Sequence, residues 1–178
     1  RYAAVEGIEN PRPEMFTACV MHSDMRKTGE FHCSNEKVNQ LQSNISWSLR
    51  DNFFDIPSDC PQRDERLGWM GDAQVFSWTA AFNRETALFF TKWMRDVSAA
   101  SSLERGVPHI VPDIQETYSS AAWSDAAVII PWVVYQTYGD TRILEESWKC
   151  MHEWVDYIHN HVNENGLWMT NYQYGDWL

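Results

Sequence analysis

Apolar residues return at helical intervals along most of this chain. Val38, Leu41, Ile45, Leu49 and Phe53 recur at steps of three and four, the spacing that gathers side chains on one helical face. Ser34 stands in front as a cap and Pro57 ends the pattern. A second helix is predicted from near Asp72, which is placed to cap it, with Ala73, Phe76 and Ala80 on one face. A third runs from about Arg84 to Ser98, with Leu88, Phe89, Trp93 and Val97 inward. A fourth begins near Asp125 and reaches Tyr138, and Pro131 inside it predicts a kink or a shifted start. The fifth, Thr141 to about His161 with Asp140 as cap, carries the clearest stripe: Ile143, Leu144, Trp148, Met151, Val155, Ile158 and Val162. Gly166 stops it.

The segments between these patterns are polar and broken by Pro and Gly. Residues 1–33 have no helical period. Tyr2 to Val5 and Ala18 to Met21 read as short strands, and Asn10-Pro11-Arg12-Pro13 as a linker or turn. Residues 101–124 form a long connection with Gly106, Pro108 and Pro112, and connections of that length are usually functional or disordered. The expectation is a mainly α chain: an antiparallel array of helices over 34–178, with a site at one end. A short β stub from an upstream β domain precedes it in 1–33.

Composition narrows the function. The chain has 178 residues, 44% of them hydrophobic, enough for one domain with a sizeable core. Its net charge of −11 lacks the basic footprint that nucleic-acid binding needs, and disfavours an anionic membrane surface. No apolar run approaches a membrane span. Cys19, Cys33, Cys60 and Cys150 are scattered, and free thiols are the expectation. Asn44-Ile45-Ser46 fits a glycosylation sequon but falls on a predicted helix. Ten Trp, seven Tyr and eight Phe serve helix packing and also suit a carbohydrate surface.

The densest chemistry is the loop Asp59-Cys60-Pro61-Gln62-Arg63-Asp64-Glu65-Arg66-Leu67-Gly68-Trp69-Met70-Gly71-Asp72. Sugar cleavage needs one carboxylic acid to protonate the leaving oxygen and a second carboxylate to activate water or attack. Glu65 and Asp72 flank Gly68-Trp69, Asp59 and Asp64 sit just before, and Arg63 and Arg66 can hold carboxylates by forked hydrogen bonds. Clustered like charges beside a Trp raise a carboxyl pKa, which suits a general acid. The same residues also make a solvated ion-pair loop with Asp72 as a helix cap. His152, His159 and His161 do not converge as metal ligands, no cofactor is expected, and His22, His32 and His109 are isolated.

The run from Asp59 to Trp69, continued by Gly71-Asp72-Ala73-Gln74, closely resembles the signature of the α-L-rhamnosidases of glycoside hydrolase family 78. Met21-His22-Ser23-Asp24, Phe31-His32-Cys33-Ser34-Asn35, Ser119 to Pro131 and Tyr174-Gly175-Asp176-Trp177 resemble other segments of that family. The resemblance implies an (α/α)6 barrel and inverting hydrolysis of terminal α-L-rhamnose, with Glu65 as general acid. It implies that Asp59, Arg63 and Asp72 bind rhamnose hydroxyls or hold the acid, and that Trp69 forms an aromatic wall. Trp123, Asp125, Asp176 and Trp177 match later loops of the same face. The family's general base lies in the C-terminal half of the barrel, and with five helices read here the chain is expected to be the N-terminal portion of that domain, inactive alone.

The implied partner is a rhamnose-containing glycoside or oligosaccharide, with no nucleic acid and no membrane. Two alternatives stand beside it: another exo-glycosidase on a helical barrel, and a non-catalytic carbohydrate-binding protein. The aglycone and oligomeric state are open, as is the compartment, with the cytoplasm slightly favoured over secretion.

Overall fold

A computed structural model describes residues 3–116 and 118–175. The described residues contain five α-helices: α1 (Glu36–Asn52), α2 (Met70–Asn83), α3 (Ala87–Ala100), α4 (Ala126–Tyr138) and α5 (Arg142–His161). The only strands among them are the two-residue β1 (Phe53–Phe54) and β2 (Ile56–Pro57), paired antiparallel. The helical class expected from the sequence is therefore observed, and no described helix is long and apolar enough to cross a membrane.

The helix α4 is central and packs against α2, α3 and α5. It buries Ala126, Ala127, Ile130, Pro131, Val133 and Val134, so it is apolar on most sides, as a helix surrounded by others must be. Pro131 lies inside α4, which continues past it to Tyr138. Gly139 closes the helix in the left-handed region (φ +69°), its N–H bonded to the Tyr135 carbonyl at 2.8 Å. The face of α2 toward the core is small: Ala73, Ser77, Ala80 and Ala81, which lets α4 approach closely. Large residues come from α3, where Phe90, Trp93, Met94 and Val97 are fully buried. Phe53 of β1 stacks on Phe89 at 4.6 Å.

Several expected details shift. Asn35, not Ser34, caps α1, its side chain accepting the Lys37 N–H at 3.0 Å. Leu88 is not inward but 82% exposed, because the inward stripe is set by Phe90 and Trp93. On α5 the buried face is Ile143, Ser147, Cys150 and Trp154, while Trp148 and Val155 of the expected stripe are exposed. Ser147 and Cys150 face the end of α3 around Ser98, where close approach favours small residues and turns the larger stripe outward. Asp140 sits one residue before the α5 cap, Thr141, and its Oδ1 accepts the Arg142 N–H.

The expected strands at the chain start do not form. Residues 3–5 and 18–21 are irregular, with a 3-10 turn at Pro13–Met15, and Tyr2 lies outside the described residues. These segments are exposed and meet no partner strand, without which a strand has no ladder of hydrogen bonds. From Ser23 onward the lead-in is stitched down: Ser23 N–H bonds the Phe53 carbonyl, and Lys27 bridges Arg84 at the end of α2. The four cysteines are free.

The 101–124 connection is part of the core. Val107, Ile110 and Val111 are buried, Trp93 Nε1–H donates to the Val111 carbonyl at 3.1 Å, and Ser124 Oγ–H donates to the Val107 carbonyl at 2.7 Å. This inward run meets the acidic loop and positions the site.

Candidate active site

The acidic loop folds on itself before it meets anything else. Asp59 N–H bonds the Leu67 carbonyl at 3.1 Å, and Arg63 N–H bonds the Cys60 carbonyl at 3.0 Å. Arg66, in the left-handed region, turns its Nε–H onto the Pro61 carbonyl at 2.9 Å. Arg66 thus closes the loop rather than holding a carboxylate, contrary to expectation. Arg63 does hold one: its Nη1 lies 3.6 Å from Glu65 Oε1. Both partners are substantially exposed, so this pair orients more than it stabilises.

The loop is then fixed to the long connection. Gly68 and Trp69 run beside Ile110 as a bridge, with Val111 N–H on the Gly68 carbonyl and Met70 N–H on the His109 carbonyl, both at 2.9 Å. The second bond explains where α2 begins. Asp72 was expected as its cap, but Trp69 occupies that position and makes no side-chain cap bond. The His109 carbonyl serves the free N–H of Met70 instead. The cap lies three residues earlier than expected, and Asp72 falls in the first turn. A side chain at Gly68 would place its Cβ 2.0 Å from the Val111 carbonyl oxygen, so glycine is required for this approach.

The structure brings two carboxylates and a thiol together. Ligand atoms of Asp59, Cys60 and Glu65 all lie within 4.8 Å of one another. Asp59 and Asp72 line a cleft of about 510 Å³, with Ser58, Asn52, Phe76 and Trp123 around them. Burial first, and then the Asp59 charge, push the Asp72 carboxyl above its ordinary range. Asp59 Oδ1 is buried in this cleft with no hydrogen-bond partner, a free acceptor for a ligand hydroxyl. The Cys60 thiol is pushed up chiefly by its hydrogen bond to Asp59. It stays protonated, which makes it a poor metal ligand.

Around this acidic patch stands an aromatic group. Trp123 borders the cleft against Gly71, where a Cβ would come within 2.9 Å of Trp123 Cδ1. Trp69 lies stacked on His109 (centroids 5.4 Å, planes 18° apart), and its Nε1–H is buried without a partner. Tyr174 meets Trp69 edge-on at 5.8 Å and Trp123 at 4.6 Å. Such a cluster offers flat apolar faces beside hydroxyl-binding groups, the combination a sugar ring needs.

Of the other expected residues, Glu65 is exposed at the loop's tip rather than lining the cleft. Asp125 is engaged elsewhere: Oδ1 accepts the Trp154 Nε1–H at 2.9 Å, and Oδ2 accepts the Ala122 N–H at 3.1 Å. It therefore holds the turn that carries Trp123. Asp176 and Trp177 lie outside the described residues. His109 and Tyr174 were not singled out by residue chemistry, because nothing in their spacing links them to residues 59–72. Of the α5 histidines, His152 pairs with Asp156 and His161 bonds the Tyr157 carbonyl.

Residues 26–178 match a family profile described as the bacterial alpha-L-rhamnosidase 6 hairpin glycosidase domain. An alpha-L-rhamnosidase of Formosa agariphila is 42% identical over 97% of this chain and 20% of its own length. One from Streptomyces avermitilis is 39% identical over the whole chain and 17% of its own length. Among solved structures, the S. avermitilis alpha-L-rhamnosidase complexed with L-rhamnose superposes with a TM-score of 0.83 at 40% identity, covering 88% of this chain and 15% of that one. The Aspergillus terreus enzyme gives 0.79 at 43% identity, covering 86% and 18%. The chain thus spans about a fifth of the length of the curated relatives it matches.

Proposed function

This chain belongs to the bacterial α-L-rhamnosidase six-hairpin glycosidase family, and on that premise we propose that it carries the acid side of a site hydrolysing terminal α-L-rhamnosides. Glu65 is the general acid, and the reaction inverts the anomeric centre. The water-activating carboxylate comes from the part of the family's barrel beyond this segment, and residues 34–178 form the N-terminal portion of that barrel. Residues 1–33 are the end of a preceding β domain and its linker. The observation that carries the reading is the convergence of Glu65 with Asp59 beside an aromatic-walled cleft. A relative with the same fold is described in complex with L-rhamnose, which supports the choice of sugar.

The roles follow from placement. Glu65, exposed and oriented by Arg63, can reach a glycosidic oxygen at the cleft mouth and give it a proton as the bond breaks. Asp59, with its buried free oxygen, and Asp72 accept sugar hydroxyls. Trp69 and Trp123 supply ring faces. Asp125 acts at one remove, through the turn before Trp123. Asp176 and Trp177 keep the binding role that the resemblance implies.

The test is hydrolysis of p-nitrophenyl α-L-rhamnoside in the protein's native full-length context. Glu65→Gln should lower turnover by about a hundredfold or more, because the leaving group loses its proton donor, with a much smaller change in KM. Turnover left intact with a raised KM would remove Glu65 from the acid role. Sugar binding without hydrolysis in the unsubstituted protein would favour the carbohydrate-binding alternative.

A further inference from the structure

Three parts of the chain, at residues 69–70, 118 and 174, meet at His109. The His109 backbone carbonyl anchors the start of α2 through Met70 N–H. Its ring lies under Trp69. Its Nδ1 bonds the Tyr118 carbonyl, and its Nε2 lies 2.8 Å from the Tyr174 hydroxyl. Tyr174 is in turn edge-on to His109 at 5.1 Å and in contact with both Trp69 and Trp123.

These partners fix the state of the ring. A carbonyl only accepts, so Nδ1 carries the hydrogen. The neutral ring then presents a lone pair at Nε2, and the Tyr174 hydroxyl donates to it. Burial lowers the His109 pKa, against smaller opposing effects of the Tyr118 carbonyl and the Asp113 carboxylate, and favours this neutral form. A ring held at both nitrogens cannot rotate beneath Trp69 without giving up a hydrogen bond in a half-buried place.

We propose that His109 and Tyr174 are a positioning pair, whose mutual hydrogen bond helps set the angle and separation of the aromatic walls Trp69 and Trp123 for the sugar. The proposal rests on the function inferred above and extends it to two residues that touch the walls rather than the acid. The walls come from separate segments, one before α2 and one before α4. Tyr174 touches both, and His109 meets its hydroxyl. Loss of the bond should therefore loosen sugar binding and leave proton donation by Glu65 in place.

The experiment is a double-substitution cycle in the full-length protein with p-nitrophenyl α-L-rhamnoside. Tyr174→Phe keeps the ring and removes the hydroxyl. His109→Asn keeps a donor for the Tyr118 carbonyl and loses the Tyr174 acceptor. Each should raise KM several-fold with little change in kcat, and the double variant should be no worse than the worse single. His109→Gln, whose amide oxygen restores an acceptor, should recover part of the loss. Nitrogen NMR of labelled histidine should show His109 protonated at Nδ1, with its Nε2 signal displaced in Tyr174→Phe.

Unchanged KM in both singles, or fully additive effects, overturns the pair while Glu65→Gln still tests the reaction. If the unsubstituted protein hydrolyses no rhamnoside, the function falls. Quenching of tryptophan fluorescence by L-rhamnose, together with the NMR signal, then decides the pair. A Nε2 signal indifferent to Tyr174→Phe overturns it.

Discussion

Asp72 shows a candidate site residue working against the fold that holds it. Its carboxyl is pushed above its ordinary range by burial and by Asp59, so the fold prefers it protonated. That preference contributes stability below the ordinary carboxylate pKa and is lost as pH rises through the raised value. At neutral pH the charged Asp72 is a cost. Asp72→Asn should therefore melt higher than the parent near neutral pH, with the gap closing as pH falls below about 4, while rhamnoside hydrolysis weakens. Parallel melting curves at neutral and acid pH, or a lower melting point at neutral pH, would refute the assignment. Residues such as this were legible in the sequence because the acidic groups lie in one contiguous run. His109 was not, since its partners Trp69 and Tyr174 lie far from it along the chain and no local pattern marks a stacking surface.

At the scale of elements, the helices were legible from their period and their faces less so. Apolar size suggested Trp148 and Val155 as the inward stripe of α5, yet Ser147 and Cys150 are buried. Helix-to-helix approach selects small residues, and a hydropathy pattern does not register closeness. The first turn of α2 was misplaced for a similar reason, because its free N–H is served by a backbone carbonyl from another segment. That turn also carries a testable conflict. Gly71→Ala improves intrinsic helix propensity by up to about 1 kcal/mol. Its new methyl, however, would meet the Trp123 ring at 2.9 Å, and the ring must move. Thermal stability should hold or rise slightly while KM for a rhamnoside rises several-fold. An unchanged KM would show that Trp123 does not face the sugar.

For the whole molecule, what lies on the outside is as telling as the core. Along α2, Val75, Trp78 and Phe82 are exposed at 79%, 53% and 55%, on the side away from the small residues that meet α4. Trp148 and Val155 give α5 a second uncovered stripe. Contiguous apolar surface of this kind drives association. The 178-residue chain prepared by itself should self-associate as its concentration rises, seen as a growing weight-average mass in sedimentation. A constant monomer mass over the accessible range would contradict this. The antiparallel helical array was foreseeable from alternating periods and loops. The missing strands near the start were not, because a stretch of alternating residues becomes a strand only where a partner lies beside it.

The backbone seam between Gly68-Trp69 and Ile110-Val111 has a consequence for how such a domain can diversify. Four residues fasten the acidic loop to the long connection, and Gly68 leaves no room for the two to slide. Past the seam the chain must still return the Tyr118 carbonyl to the His109 ring. A change of length there is therefore felt first at the His109 ring, while the seam keeps the acidic loop in register with the connection.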